Sequence, residues 1–282
     1  MSVSRIREKG VDRLLEPVLN AVETAEQRVS CRDLVYNLSR RGKETPRLVR
    51  AAVKRLVAKG ELRYVTESGM SFLEKNYAGR VRLSRRVVVV PPRGCAEDMD
   101  PGCVPIRLLP GIAFGDCRHP STRISVRAID FLIDMCSAKQ GGLSTAIDIG
   151  TGSGILALVA ARLGIKHVLA IDIDPCARVE AANNVVLNRL ESRIEVSGKG
   201  LDEIEDKASL VIANLRLPTL KRSAAHIFRL LEPGGAVVLS GVRQQEAGAL
   251  ADCYRPVGGC VWKEVEKGWC GMVFAANPPE RS

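Results

Sequence analysis

The 282-residue sequence predicts an α/β protein. A doubly wound, mostly parallel sheet fills residues 79–282, and a small α+β module precedes it in residues 1–78. Three observations carry this expectation. Short β-branched runs alternate with helical patterns from residue 145 onward, as parallel βαβ units require. The stretch "AIDIGTGSGILALVAARLGIKHVLAIDIDP" (146–175) reads as strand, glycine loop, helix, second strand and acid. Charge is also split along the chain. Residues 1–94 hold 21 Lys and Arg against 10 Asp and Glu, and the remainder holds 21 against 22, so nearly all of the net +10 belongs to the first third.

With 46% hydrophobic residues the chain can bury a sizeable core. Its apolar runs are short, such as "ILALVAA" (155–161), so no membrane span is expected. "MSVSRIREKG" has no apolar segment of a secretory signal, and nine scattered cysteines form no C-x-x-C pair. Both point to reduced thiols and a cytoplasmic protein. Cys95, Cys103, Cys117 and His119 are too widely and irregularly spaced for a metal centre, and no metal is expected.

In the N-terminal module, Val11, Leu14, Leu15, Val18, Leu19 and Val22 make one apolar helical stripe. Ser30, with Asp33 at the capping-box position, opens a second helix that Gly42 closes. Thr45-Pro46 is an N-cap and N1 pair for a third helix ending at Gly60. "ELRYV", "TESG" and "MSFLE" read as a β-hairpin. Three helices and a hairpin resemble a winged-helix domain. Arg47, Arg50 and Lys54 lie opposite the third helix's apolar stripe, with Lys43 and Arg55 nearby. That face suits an RNA or DNA backbone, although a solvated face or a protein-docking face has the same pattern. Residues 79–110 form a junction, with a strand at Val87–Val90 followed by a turn-rich loop, "CAEDMDPGCVP".

The glycine loop decides between two ligand classes. Gly150, Gly152 and Gly154 form G-x-G-x-G, whereas a dinucleotide fingerprint needs a glycine where Ile155 stands. A pyrophosphate needs that late glycine for close approach to a helix N-terminus; S-adenosylmethionine has no phosphate and needs only a tight turn with backbone room. Asp148 is placed to take an ammonium group, directly or through water. Asp172 ends the second strand, where a carboxylate can accept both ribose hydroxyls. Asp174-Pro175 reads as the next helix's N-cap and N1. The expectation is therefore a methyltransferase rather than a dehydrogenase. "RIEV", "SLVIANL", "GGAVVLSGV", "VWKEVE" and "WCGMVFAA" supply the further strands, with "LLEPGGAVVLS" as helix end, turn and strand.

Upstream, "LPGIAFGDCRHPSTRISVRAIDFL" (109–132), taken with the glycine loop, "LAIDIDPCA", "VIANL", "EPGGAVVLSGV" and "EKGWCGMVF", resembles the PrmA family over about residues 85–276. These are the bacterial enzymes that trimethylate ribosomal protein L-eleven. The resemblance implies a class I methyltransferase fold that uses S-adenosyl-L-methionine to methylate protein amino groups, so the implied partner is a protein, with ribosomal proteins among the candidates. It also implies that Phe114, Gly115, His119 and Thr122 fold over the cofactor, that Asp148, Gly150, Gly152, Gly154 and Asp172 cradle it, and that Asn214 stands beside the transferred methyl. Three features depart from the family: Asp116 and Arg118 replace small polar residues, Pro218 comes one residue early, and the N-terminal module has the winged-helix pattern. Gly111 and Gly241 read as turn residues, and Cys117 and Cys270 as packing thiols. The competing expectations are an RNA or DNA methyltransferase aimed by the basic module, and a non-enzymatic ligand-sensing regulator.

Overall fold

The computed structural model describes residues 3–25, 28–42, 44–67, 69–76, 79–92, 99–109, 111, 113–115, 117–137 and 142–275. Lys43, Cys95 and Asp116 lie outside these residues. The chain divides into two compact units, Met1–Arg80 and Val81–Ser282.

The first unit runs α1 (Val3–Glu23), β1 (Val29–Ser30), α2 (Cys31–Gly42), α3 (Pro46–Ala58), β2 (Leu62–Glu67) and β3 (Met70–Lys75). The strands pair antiparallel in the order β1-β3-β2. Val11, Leu14, Val18 and Val22 of α1 bury against Val49, Ala52, Val53 and Leu56 of α3, with Leu62 and Leu73 of the hairpin closing the core. The stripe continues through Pro17, which sits inside α1. Thr45 caps α3 by accepting the Leu48 N–H, and Pro46 follows it at the first helical position, where its missing N–H costs nothing. The two-residue strand β1 has no signal of its own in the sequence.

In the second unit a small sheet leads: β4 (Val81–Arg82), β5 (Val87–Val90) and β6 (Val104–Arg107), with β5 parallel to β6. The turn-rich loop therefore ends in a strand that the sequence reading missed. Pro105 lies inside it, and proline is tolerated because β6 is an edge strand. Next come α4 (Pro120–Ser137), β7 (Thr145–Ile149), α5 (Ile155–Arg162), β8 (His167–Ile171), α6 (Pro175–Leu187), β9 (Ile194–Ser197), β10 (Ala208–Asn214), α7 (Leu217–Leu230), β11 (Leu231–Arg243), α8 (Ala247–Tyr254), β12 (Gly259–Glu266) and β13 (Trp269–Ala275).

The seven-stranded sheet has the order β12-β13-β11-β10-β7-β8-β9. The five strands from β11 to β9 are parallel, and β12 and β13 run antiparallel at one edge. This is the class I methyltransferase arrangement. β7 lies between β8 and β10, so the crossovers reverse direction there and leave a crevice at the carboxyl ends of those strands. Residues 198–207 pass from β9 to β10 without a helix. The turn expected in "EPGG" is absorbed into β11: Leu231 pairs with Ala208 and Ala236 with Leu210, so residues 232–235 bulge from the ladder. Tyr254 is fully buried below the sheet and donates its hydroxyl to Leu220 O at 2.9 Å.

Candidate functional site

A cleft of about 780 Å³ opens at this reversal point. The loop after β7 forms its floor, and its glycines are required by space. Gly150, Gly152 and Gly154 all have positive φ (69°, 55° and 82°), which glycine adopts without steric cost. A Cβ on Gly152 would stand 2.1 Å from Phe114 O, and one on Gly150 would stand 2.7 Å from Leu215 Cδ2. The Phe114 backbone thus lies directly on the loop, held there by the Ser153 N–H donating to Phe114 O at 2.9 Å. Gly154 faces Ala181 of α6, so its role is helix packing rather than cleft lining.

Two carboxylates hold the loop from below and from the side. Asp172 accepts from Gly152 N at 2.9 Å and from Asp174 N at 3.0 Å, and its half-buried side chain lines the cleft. Asp148 is fully buried and does not line the cleft. Its Oδ2 accepts from Thr151 Oγ1 at 2.6 Å and Ala157 N at 3.2 Å, while Oδ1 has no hydrogen-bond partner. Burial pushes the Asp148 carboxyl up to about 6; the Thr151 and Ala157 hydrogen bonds oppose this, and the nearby Asp172 charge adds to it. Asp174 caps α6 by accepting the Cys176 N–H at 2.8 Å.

The segment upstream of α4 forms one wall. Phe114 (54% exposed) and His119 face the cleft, whereas Gly115 and Thr122 are buried behind it. Ser121 donates its backbone N–H to His119 Nδ1 at 3.2 Å, which leaves the neutral ring's proton on Nε2. Thr122 Oγ1 is a second buried polar atom without a partner, and Asn214 Oδ1 is a third. Asn214 ends β10, lines the cleft, and has Gly241 against it: a Cβ on Gly241 would lie 2.9 Å from Asn214 Oδ1 and 2.6 Å from Leu215 O.

Gly241 is therefore not a turn residue. It lies inside β11 at φ 83°, within the stretch Leu239–Val242 where the register to β13 shifts, and its lack of a side chain makes room for the Asn214 amide. A Cβ on Gly111 would stand 2.1 Å from the Glu180 carboxyl, the flexible end of that side chain. Cys117 and Cys270 are buried thiols.

The sequence reading missed Trp269. Its ring meets His119 edge to face at 4.6 Å, and His119 meets Phe114 at 5.0 Å, giving a continuous aromatic wall. The Arg243 guanidinium covers the Trp269 ring at 3.9 Å. The β12–β13 turn that carries Trp269 is tied to α4: Arg123 Nε bonds Glu266 at 2.8 Å, and Arg127 bonds Glu266 at 2.6 Å and Glu264 at 2.7 Å. Burial pushes the Glu266 carboxyl up, but hydrogen bonds and charge from Arg123 and Arg127 outweigh it and hold the carboxyl below its ordinary value. A tryptophan placed by the last hairpin has no local signature in sequence. The match of "EKGWCGMVF" was the one available pointer.

The residues fit a nucleoside carrying an amino acid on a sulfonium better than a dinucleotide. The crevice has a glycine floor without a phosphate-binding late glycine and is lined by the orphaned Asn214 Oδ1, while the orphaned Asp148 and Thr122 oxygens lie buried behind that lining. Comparison with known proteins agrees: a family profile described as "Ribosomal protein L11 methyltransferase (PrmA)" matches residues 43–277. The chain belongs to the PrmA family. Two relatives named ribosomal protein L11 methyltransferase, from Pelotomaculum thermopropionicum and Geotalea daltonii, are each 35% identical, over 75% and 65% of this chain. The matches span 67% and 60% of those relatives' own lengths. A crystal structure of ribosomal protein L11 methylase from Lactobacillus delbrueckii subsp. bulgaricus aligns over 71% of this chain and 100% of its own, with TM-score 0.61 and 28% identity. Membership accounts for the "GIAFGDCRHPST" segment, which was the most specific sequence signal. Among the described residues no helix is long and apolar enough to cross a membrane, and no group of three His, Cys, Asp or Glu could hold a metal.

Proposed function

We infer that this PrmA-family protein is an S-adenosylmethionine-dependent methyltransferase acting on amino groups of a protein substrate, with a ribosomal protein as the first candidate. The observation that carries the reading is the glycine floor flanked by Asp172 at the sheet's reversal point, with Asp148 buried behind it and Asn214, whose amide oxygen is unpartnered, lining the same cleft. When bound, S-adenosylmethionine supplies an electrophilic methyl on a sulfonium. The chain's own residues do the rest. The glycine loop and Asp172 would hold the nucleoside side, and Asp148, buried beneath the loop and off the cleft lining, would act on an ammonium through water. Asn214 Oδ1 would accept an N–H from the neutral incoming amine and so aim the nitrogen's lone pair at the methyl; the sulfonium would leave as a neutral thioether and the methylated ammonium would give its proton to water.

Alignment of this kind supplies roughly 7–11 kcal/mol of a barrier. A lysine amine ordinarily titrates at about 10.4, so its deprotonation at about pH 7.4 costs about 4 kcal/mol. Desolvation between Phe114, Leu215 and Trp269 lowers that cost by disfavouring the ammonium. The test is incubation with labelled methyl donor and separate protein and RNA fractions; label on RNA alone would overturn the protein assignment in favour of an RNA methyltransferase.

The first unit supports a second element of this reading. We read it as a winged-helix-like module that contacts nucleic acid through Arg47, Arg50 and Lys54. All three are exposed on α3, and among the described residues none has an acidic partner. Replacing all three with alanine should flatten the log–log salt dependence of duplex binding by up to about three. An unchanged slope would return α3 to an ordinary solvated face.

A further inference from the structure

The first unit distributes its charges unequally. Arg13 pairs with Glu44, Arg55 with Asp12 at 3.1 Å, Arg63 with Glu74 at 3.5 Å and Lys75 with Glu23. Among the described residues Arg32, Arg40 and Arg50 have no such acidic partner, and they converge. A groove of about 430 Å³ between α2 and the start of α3 is lined by these three arginines together with Tyr36, Ser39 and Pro46. Asp33 also borders it, but its carboxylate accepts the Ser30 hydroxyl at 2.6 Å.

Arg32, Tyr36 and Arg40 recur every four residues, so they form one stripe along α2. Tyr36 is 57% exposed, which is unusual for a large aromatic on a helix whose opposite face already fills the core. Its ring is not loose: Arg40 donates to its hydroxyl and lies over the ring at 5.4 Å. Ser39 Oγ, beside it in the groove, is buried with no hydrogen-bond partner. The groove thus combines three guanidinium forks against the single Asp33 carboxylate, a fixed aromatic plane and an unused hydroxyl. Guanidinium forks match phosphate oxygens, and an exposed ring edged by cations is the surface on which an unpaired base stacks. A duplex keeps its bases stacked on one another and can offer this groove only its backbone.

We propose that the α2–α3 groove binds a single strand of nucleic acid, with phosphates on Arg32, Arg40 and Arg50 and one base stacked on Tyr36. This rests on the reading of the first unit as a nucleic-acid contact, and narrows it from a charged face to a strand-selective site. It places single-strand recognition on α2, next to the cations of α3 that serve any phosphate backbone.

The test is fluorescence anisotropy on the full chain with short labelled oligouridine, oligothymidine and a mixed-sequence RNA duplex, at low and physiological salt. Tyr36→Ala should weaken both single strands roughly 5- to 150-fold, the range for one lost base stack, and leave the duplex unchanged. Tyr36→Phe should retain most of the single-strand affinity. Equal binding of the two single strands assigns the site to backbone and base; a preference for oligouridine assigns a contact to the ribose hydroxyl. If Tyr36→Ala changes neither strand while Arg47→Ala with Lys54→Ala weakens all three ligands, the groove proposal is wrong and the nucleic-acid reading stands. If the unmodified protein binds none of the three at low salt, the nucleic-acid reading itself is wrong. Tyr36 is exposed, so circular dichroism of the variant should match the parent and keep the comparison valid.

Discussion

Asp148 should make the catalytic unit lose stability as pH rises. In the unfolded chain its carboxyl titrates near the ordinary 3.8; in the fold burial moves it to about 6. Between those values the folded protein retains a proton that the unfolded chain has released, so raising the pH favours unfolding across that window. At 1.36 kcal/mol per pH unit the difference amounts to about 3 kcal/mol, fully present as destabilisation above about pH 6 and absent below about pH 4. Asp148→Asn stays neutral throughout. Its amide can still accept from Thr151 and Ala157, and any fixed penalty for its NH₂ group cancels in a comparison across pH. The assay is urea unfolding of parent and variant followed by tryptophan fluorescence, since Trp262 and Trp269 both lie in the second unit. Relative to the parent, the variant should gain about 3 kcal/mol between about pH 4 and about pH 7. A difference that stays flat across that range would refute the reasoning. A second readout ties the same charge to function. If the ionised Asp148 serves the ligand's ammonium, affinity for S-adenosylhomocysteine should climb as pH rises toward about 6 and then level off, and Asp148→Asn should remove that climb.

Three further substitutions separate the parts of the site. Asp172→Ala removes the acceptor proposed for the ribose hydroxyls together with the bonds to Gly152 N and Asp174 N, and should weaken S-adenosylhomocysteine binding by roughly 1.5–3 kcal/mol in calorimetry. Unchanged affinity in a folded variant would sink the cradle assignment. Gly152→Ala places a methyl 2.1 Å from Phe114 O and strains a left-handed backbone, the latter alone by roughly 1–2 kcal/mol. Cofactor affinity should fall accordingly, and normal affinity would show that the 113–115 segment yields without cost. Asn214→Ala should lower turnover far more than cofactor affinity; the opposite pattern, affinity lost and turnover of the loaded enzyme kept, would move Asn214 into the cofactor site.

The sequence exposed those parts of the site that local backbone geometry dictates, and hid those that depend on distant packing. Gly150, Gly152 and Gly154 were legible because a strand-to-helix turn with three left-handed residues leaves no other choice. Asp172 was legible because it ends a strand, and strand ends set where a side chain meets the crevice. The Thr45-Pro46 and Asp174-Pro175 pairs marked helix starts because both chemistries are local. Asp148 had the right position but an illegible setting: two loop hydrogen bonds and complete burial depend on how Thr151 and Ala157 fold back over it. β6 was hidden by its own proline, which is acceptable only at a sheet edge that the sequence does not declare. Gly241 looked like a turn because a glycine inside a strand normally weakens it. Its reason lies in Asn214, on a different strand.

That pairing bears on what sets the acceptor's position. Asn214 Oδ1 is buried without a partner, a condition that costs a native protein roughly 1–3 kcal/mol unless another donor satisfies the atom. The register shift in β11 and the missing side chain at Gly241 leave only a backbone CH₂ against that oxygen. Arg243, two residues farther along the same strand, lies over Trp269, whose ring contacts His119. One strand thus sets a backbone CH₂ beside the acceptor oxygen and braces the aromatic wall across from it. A substitution at Gly241 should therefore act through Asn214 before it acts on the sheet. Gly241→Ala would bring a methyl within 2.9 Å of Asn214 Oδ1. Turnover should drop while S-adenosylhomocysteine affinity and the unfolding midpoint change little, and a collapse of the midpoint with turnover per folded molecule preserved would show that the bulge serves the sheet alone.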